Sequence, residues 1–394
     1  MQQVDICMRD QANPSKPANE ETRVHIASRR KFDGLALSML AFLMASSPLS
    51  HAASLRDEKI LVPKGHGLFH VELETRLYAP LGDGPFPLVV INHGKNPGEP
   101  RFQSSSAFYG QALEFVRRGY AVIAPMRQGF AGSSGFYLSA GSNIEDTGLA
   151  QADDIAAAID YAKTVPFIDA SRIVVIGQSA GGLATIALGS RNPPGVLGLI
   201  SFAGGLRFMN TPGAERNLVV AYGDYGKTTT IPSLWMYGEN DSLFPPPLAH
   251  RMLDAYNGAG GHAQFVDFGS FGDDAHAMFG SFSGTPIWLP QVEKFLASLG
   301  LPVDIRYDLR SHSDGPDIED VSAVPNLNDA GREGYRRFLW SASPRAFALS
   351  ENGHWASRTG PDAQKEALDG CAKRGGLQCR LYAVDQELVS PAGK

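Results

Sequence analysis

The sequence predicts an α/β fold in which helices cover both faces of a mostly parallel sheet. Short apolar runs alternate with amphipathic stretches over roughly residues 86–299, as in successive βαβ units. Several of the apolar runs end directly in glycine-rich or polar turns. Because ligands bind at the carboxyl ends of parallel strands, we expect the functional residues to lie in these turns. The 394 residues are enough for one large domain and a small one.

The predicted elements follow one another regularly along the chain. The runs of strand length are Phe86–Ile91, Tyr120–Pro125, Arg172–Ile176, Pro232–Tyr237 and His262–Phe268. The stretches with helical periodicity are Ser104–Arg118, Thr147–Thr164, Gly181–Ser190, Pro247–Asn257 and Pro290–Leu299. Strands that alternate with helices indicate a parallel sheet, because parallel neighbours need a crossover connection. The insertion at residues 206–231 is too short for a large lid domain, so we expect an open pocket.

A nucleophile elbow is predicted where the run Arg172–Ile176 meets the next helix, at the turn Gly177-Gln178-Ser179-Ala180-Gly181. A sharp strand-to-helix turn holds a serine hydroxyl clear of the backbone, and glycines flank it because any Cβ there would collide with neighbouring backbone. Ser179 is therefore the candidate nucleophile. The N–H of Ala180 lies at a helix N-terminus, where it can stabilise an oxyanion. Gln178 is predicted to border the substrate.

An acid and a histidine follow the elbow in the order that this chemistry requires. Asp241 lies in the turn after Pro232–Tyr237, and His276 lies in the glycine-rich turn after His262–Phe268. His276 is the candidate base and Asp241 the acid that orients it. Two alternatives stay open for the acid: Asp241 could serve only its own turn, and Glu239 could take the role. We favour Asp241 because it lies deeper in the turn.

Two earlier turns complete the predicted site. The run Phe86–Ile91 ends in Asn92-His93-Gly94-Lys95-Asn96, where the N–H of Gly94 or Lys95 is expected to be the second oxyanion donor. Arg127 opens an Arg/Gly/Ser-rich loop at residues 127–135, which follows the run Tyr120–Pro125. Arg127 is interpreted either as a clamp for loop carbonyls, which we favour, or as a substrate-binding residue.

These ordered motifs resemble those of α/β-hydrolases, and most closely the dienelactone hydrolase and carboxylesterase branch. The resemblance covers roughly residues 60–300 and rests on the His93-Gly94 loop, the Ser179 elbow, and the Asp241 and His276 turns. It implies an α/β-hydrolase fold and a Ser-His-Asp triad that needs no cofactor. The loop at residues 127–135 resembles the Arg/Gly/Ser loop that borders the pocket in many relatives, so the resemblance also implies that this loop borders the pocket. Relatives that hydrolyse dienelactone often carry a cysteine nucleophile, so Ser179 does not imply that substrate.

A metal site is not expected. His66 and His70 are a pair by spacing, but no nearby acid or cysteine completes a ligand set. Alternation from Gly67 to Leu77 instead indicates strand residues that face solvent. The net charge of −6 excludes an electrostatic preference for nucleic acid or for an anionic membrane surface.

Residues 1–52 are predicted to be an export signal. Arg29-Arg30-Lys31 precedes an apolar run, Leu35–Met44, and Ser50-His51-Ala52 has the pattern of a cleavage site. The run is shorter than the about 20 apolar residues that span a bilayer. Residues 28–32 resemble a twin-arginine signal, and an ordinary secretory signal is the alternative. We therefore expect a periplasmic or secreted protein with no integral membrane segment after cleavage.

The chain changes character after Leu301. Residues 302–333 are predicted to be a linker or wrapping segment that is too poor in apolar residues for a core, and residues 334–394 a small α+β module. The module is expected to contain a hairpin about Asn352-Gly353, a helix at Asp362–Lys373 and a strand at Gln378–Val384. Cys371 and Cys379 are expected to form a disulfide in an oxidising compartment.

Together these observations predict an exported serine hydrolase whose catalytic domain spans residues 53–301 and cleaves carboxylic esters. The substrate is expected to be a small-molecule or polymer-borne ester. A serine peptidase or amidase of the prolyl-oligopeptidase type is the chemical alternative, and a non-catalytic envelope-binding protein on a hydrolase scaffold is the alternative class. The C-terminal module is expected to serve packing or cell-envelope contact and to be dispensable for the chemistry.

Overall fold

The computed structural model describes residues 55–67, 70–139, 141, 143–206, 213–307, 309, 318–341 and 343–389. The predicted export signal, residues 1–52, lies outside these ranges. Within them, no helix is both long enough and apolar enough to cross a membrane.

The secondary-structure elements of the described ranges are numbered in chain order. The strands are β1 (Arg56–Lys64), β2 (Val71–Ala79), β3 (Phe86–Asn92), β4 (Ala121–Pro125), β5 (Ile168–Gln178), β6 (Val196–Phe202), β7 (Ser233–Tyr237), β8 (Ala263–Asp267), β9 (Arg345–Leu349), β10 (Trp355–Thr359), β11 (Arg380–Val384) and β12 (Glu387–Leu388). The helices are α1 (Tyr109–Arg117), α2 (Ile144–Ala162), α3 (Ala180–Gly189), α4 (Ala214–Gly226), α5 (Pro246–Gly258), α6 (Thr285–Ser298), α7 (Asp329–Leu339) and α8 (Ala363–Lys373).

The first eight strands form one sheet in the order β1-β2-β4-β3-β5-β6-β7-β8, in which only β2 runs against the others. Alternate residues of β3 enter different cores. Leu88 and Val90 pack on one face with α2, α3 and α5, whereas Val89 and Ile91 pack on the other with α1 and α6. The predicted α/β fold, with a mostly parallel sheet and helices on both faces, is confirmed.

Some elements differ from those predicted. Strand β6 and helix α4 were not predicted, and α4 fills much of the stretch interpreted as an insertion. Helix α1 begins at Tyr109 rather than Ser104, because Phe108 adopts a positive φ of 48° that ends helical geometry. Helix α6 begins at Thr285 and continues through Pro290, which had suggested a helix start.

The C-terminal strands form a second, antiparallel sheet in the order β10-β9-β11-β12. The predicted hairpin, helix and strand are present as β9–β10, α8 and β11, and the predicted Cys371–Cys379 disulfide joins the end of α8 to the chain entering β11. The apolar side chains of Ile318, Val324 and Leu327 pack in this module's core. The expectation that residues 302–333 lack core residues is therefore wrong from Ile318 onwards.

Candidate active site

Ser179 occupies a strained turn between β5 and α3. Its φ and ψ angles are 54° and −123°, a combination that L-residues rarely adopt. A Cβ on Gly177 would lie 2.1 Å from the carbonyl oxygen of Gly181, and one on Gly181 would lie 2.3 Å from that of Asn92. Both glycines are therefore required by close backbone approach. Ala180 begins α3, so its N–H has no partner within the helix.

His276 and Asp241 come together from two separate turns. His276 Nδ1 lies 3.1 Å from Asp241 Oδ2, and the carboxylate is 4 % exposed. The other carboxylate oxygen accepts the backbone N–H groups of Leu243 and Phe244, each at 2.8 Å. One carboxylate oxygen of Asp241 thus stabilises the turn that contains it, and the other faces the imidazole of His276. Glu239 is exposed and accepts a hydrogen bond from Ser270.

Two further side chains hold the His276 turn. Asp274 Oδ1 accepts the His276 N–H at 2.9 Å, and both of its carboxylate oxygens accept hydrogen bonds from Ser242. Burial opposes ionisation of Asp274, but these bonds outweigh it and lower the pKa of the carboxyl group. Gln178 Nε2 donates to the carbonyl oxygen of His276 at 2.9 Å. Gln178, predicted to bind substrate, thus anchors the His276 backbone while also lining the cavity described below.

Arg127 is a clamp for the loop that follows β3. Its guanidinium donates to the carbonyl oxygens of His93 and Gly94, and the residue is 1 % exposed. Burial lowers the pKa of Arg127 to about 10, which leaves the group charged at neutral pH. A buried guanidinium occupied by loop carbonyls cannot also contact a substrate. Of the two interpretations of Arg127, the structure therefore agrees with the clamp that we favoured and not with the substrate-binding role.

The clamp also sets where the neighbouring N–H groups point. In a trans peptide the C=O and the following N–H point in opposite directions. Because Arg127 holds the carbonyls of His93 and Gly94, the N–H groups of Gly94 and Lys95 are directed away from it. The same loop lies against the elbow, since a Cβ on Gly94 would stand 3.1 Å from Ser179 Cβ.

His93 supports this loop as a neutral side chain. Its Nε2 accepts the backbone N–H of Arg127 at 3.0 Å, so the proton must lie on Nδ1, which faces the carbonyl oxygen of Gly94 at 2.6 Å. Burial, together with the nearby Arg127 charge, holds the pKa of His93 well below 6.5. The histidine therefore braces the loop by hydrogen bonding and carries no charge near neutral pH.

Ser179 and His276 line one cavity of about 950 Å³. Gly94, Lys95 and Gln178 also line it, so the predicted oxyanion loop and the elbow share this space. The Lys95 ammonium donates to the carbonyl oxygens of Asn96 and Gly98, which keeps the side chain within its own loop. Among the described residues, no group of three or more His, Cys, Asp or Glu side chains could hold a metal ion.

Residues 67–232 match the sequence model of a peptidase family described as X-Pro dipeptidyl-peptidase, the S15 family. This segment contains the His93-Gly94 loop and the Ser179 elbow, which the structure places at one edge of a mostly parallel sheet. The acid and histidine turns follow β7 and β8 at the same edge. This arrangement is the α/β-hydrolase fold.

The individual proteins that are similar to this chain are distant from it in sequence. Protein bem46 of Schizosaccharomyces pombe is 25% identical over 216 residues, which cover 48% of this chain and 67% of the relative. A protein described as a dienelactone hydrolase from Klebsiella pneumoniae is 17% identical, with a TM-score of 0.43 over 63% of this chain and 99% of that one. An esterase from Pyrococcus furiosus is 16% identical, with a TM-score of 0.45 over 62% of this chain and 93% of that one.

Several residues that line this cavity were not predicted from the sequence. The segment before α1 contributes Ser104, Ser105 and Phe108, and the C-terminal module contributes Trp340 and Pro344. The serine run is visible in the sequence, but its helical periodicity had indicated part of α1. No local signal marks the module residues, because their place at the cavity depends on how the module packs.

Proposed function

We propose that this α/β-hydrolase is an exported serine esterase in which Ser179, His276 and Asp241 act as a triad. The observation that carries the proposal is the convergence of three turns. The Asp241 carboxylate lies 3.1 Å from the imidazole of His276, and His276 lines the same cavity as the strained Ser179. A serine nucleophile, a histidine base and a carboxylate that orients the histidine are the groups that acyl transfer requires.

In the proposed reaction, Ser179 Oγ attacks the ester carbonyl carbon while His276 Nε2 accepts the hydroxyl proton. The carbonyl oxygen becomes an oxyanion, which the N–H groups of Ala180 and of Gly94 or Lys95 stabilise. Collapse breaks the bond to the alcohol oxygen, and His276 returns its proton to the departing alcohol. Water, activated by His276, then releases the acid from the acyl-enzyme. Asp241 fixes the imidazole tautomer and stabilises its charged form throughout.

A peptidase activity is the second candidate, and the match of residues 67–232 to a dipeptidyl-peptidase family favours it. A peptidase that reads a free N-terminal amine needs an available carboxylate. The acidic residues that line the two cavities near His276 are Glu74 and Asp274. Glu74 pairs with Lys59 at 2.8 Å and accepts a hydrogen bond from Ser105, and Asp274 binds Ser242. Because both carboxylates are occupied, we favour esters.

Export is part of the proposal. The basic and apolar pattern within residues 1–52 supports it, as does the Cys371–Cys379 disulfide, since disulfides persist in oxidising compartments. Cell-envelope contact through the C-terminal module stays a prediction.

Fractionation of cells that express the full chain, compared with an Arg29→Lys/Arg30→Lys variant, tests the twin-arginine route. A precursor retained only in the double variant supports that route, and unchanged export favours the secretory alternative.

The activity is tested with residues 53–394 and Ser179→Ala as the matched inactive variant. We expect hydrolysis of short p-nitrophenyl esters and labelling of Ser179 by a fluorophosphonate. The alanine variant should lose about 10⁴-fold or more in kcat, because a triad acts as a unit. Labelling that persists in Ser179→Ala contradicts the assignment. X-Pro p-nitroanilides cleaved faster than the esters favour the peptidase, and no turnover or labelling at all favours a binding protein.

A further inference from the structure

The larger cavity is bounded by the C-terminal module as well as by the sheet. Trp340 and Pro344, from the turn between α7 and β9, line it together with Ser179 and His276. The turn between β10 and α8 reaches the same cavity at residues 359–361. The module, expected to be dispensable for the chemistry, thus contributes to the wall of the candidate site.

Trp340 also borders a second cavity, of about 590 Å³. This smaller cavity is lined by the His276 turn and Phe282 but not by Ser179. Among the described residues that line both cavities, Trp340 has the largest side chain. Its indole is thus the bulkiest group that the two cavities share near the candidate catalytic residues.

The hydrolase sheet domain fixes the position of this indole. A Cβ on Gly110 of α1 would stand 1.8 Å from Trp340 Cδ2, so the ring lies directly on the helix backbone. The rings of Trp340 and Phe282 meet edge to face with centroids 5.4 Å apart. Beside them, Arg76 Nη2 donates to the carbonyl oxygen of Ser343 at 2.8 Å. These contacts tie the module's turn to the wall of the site.

Arg345 holds the same turn from within the module. Its guanidinium donates to the carbonyl oxygens of Phe338 and Ser341, each at 2.8 Å, on either side of Trp340. Arg345 Cζ also lies 5.1 Å from the centroid of the Tyr109 ring on α1. Arg345 is thus a positioning residue for Trp340, as Arg127 is for the loop after β3.

The proposed reaction indicates which cavity accommodates the acyl group of the ester and which the alcohol. The leaving alcohol receives its proton from His276, so it must lie against the His276 turn. The smaller cavity is lined by that turn. The acyl group stays on Ser179 and faces the oxyanion donors, and the larger cavity contains Ser179, Gly94 and Lys95. The larger space therefore accommodates the acyl group and the smaller one the alcohol.

We infer that the C-terminal module completes the substrate site and that Trp340 separates the acyl cavity from the alcohol cavity, which limits the size of both groups. This inference rests on the proposed esterase function. It gives the module a role in substrate selection. Because Trp340 borders both spaces, a smaller residue enlarges both at once.

The experiment uses residues 53–394 and two substrate series: p-nitrophenyl esters of increasing acyl length, and acetate esters of increasingly bulky alcohols. Trp340→Ala and the better-packed Trp340→Leu are compared with two single-cavity variants. Phe108 lines only the larger cavity and Phe282 only the smaller one. Leu377→Ala, at an exposed module residue outside both cavities, is the unchanged control. Circular dichroism and gel filtration establish which variants are folded.

For either Trp340 variant we expect kcat/KM for the largest members to rise roughly tenfold relative to the smallest, in both series. Phe108→Ala should shift the acyl series alone, and Phe282→Ala the alcohol series alone. An equal loss across both series, or a shift in only one, overturns the inference while the wild-type activity leaves the proposed function intact. A folded wild-type protein that hydrolyses no ester refutes the proposed function and this inference with it.

Discussion

The imidazole of His276 and the carboxylate of Asp241 lie 3.1 Å apart although their turns belong to different strand connections. We expect Asp241→Asn to lower kcat by roughly 10³- to 10⁴-fold, because an amide favours the wrong imidazole tautomer. Glu239→Gln is the matched control and should cost far less, since Glu239 is exposed and bound to Ser270. Steady-state kinetics with a p-nitrophenyl ester measure both. A larger loss in Glu239→Gln moves the acid to that residue.

The Arg127 clamp predicts a defect in turnover rather than in substrate binding. Arg127→Lys keeps the charge but loses the planar fork that reaches two carbonyls. Arg127→Lys would release the peptide planes after His93 and Gly94, so the N–H groups proposed as oxyanion donors would lose their orientation. We therefore expect kcat to fall by about 10²-fold or more with little change in KM. Arg101→Lys, at an exposed arginine that donates to Gly135, should behave as wild type. A raised KM with unchanged kcat instead indicates substrate contact.

Burial of neutral His93 predicts a pH-dependent stability. Its folded-state pKa lies well below the ordinary value of 6.5, so below pH 6.5 the unfolded chain binds a proton that the folded chain does not. The stability that comes from keeping His93 neutral is complete above pH 6.5 and is lost as pH falls. The free energy of unfolding should decrease by up to about 1.4 kcal/mol per pH unit. Urea unfolding of wild type and His93→Gln between pH 7 and 5 measures it. The variant should be less stable at pH 7 but show a shallower slope.

The matched control is His262→Gln, at an exposed histidine, which should keep the wild-type pH dependence. Equal slopes in wild type and His93→Gln contradict the buried neutral state of His93.

The disulfide predicts a modest contribution to stability. Closing the short loop between Cys371 and Cys379 should stabilise the folded chain by less than about 3 kcal/mol, because few residues are constrained in the unfolded state. Non-reducing mass spectrometry should find the peptide pair two hydrogens lighter than the dithiol. Urea unfolding of Cys371→Ala/Cys379→Ala should match that of the wild type in reductant. A reduced wild type as stable as the oxidised one argues against this contribution.

The local features of the site could be predicted because they depend on neighbouring residues. Gly177 and Gly181 mark the elbow since backbone crowding there excludes a Cβ, and the turns around Asp241 and His276 follow apolar strands that place them at one edge. The extent of α1 could not be predicted, because Phe108 breaks the helix through a backbone angle that its residue type does not suggest. Strand β6 was not predicted, although its apolar run is visible in the sequence and no unusual backbone angle hides it.

The sequence by itself determined the α/β class, the order of the candidate triad and the disulfide pair, since these depend on periodicity, on local turn motifs and on short spacing respectively. Only the tertiary structure decided what Arg127 and Trp340 do. Arg127 acts as a clamp because the pairing of β3 with β4 brings its guanidinium within hydrogen-bonding distance of the carbonyl oxygens of His93 and Gly94. Trp340 reached the cavity because Gly110 leaves room for its indole on α1. Both roles arise from packing between segments distant in the chain, and such contacts leave no pattern in the local sequence.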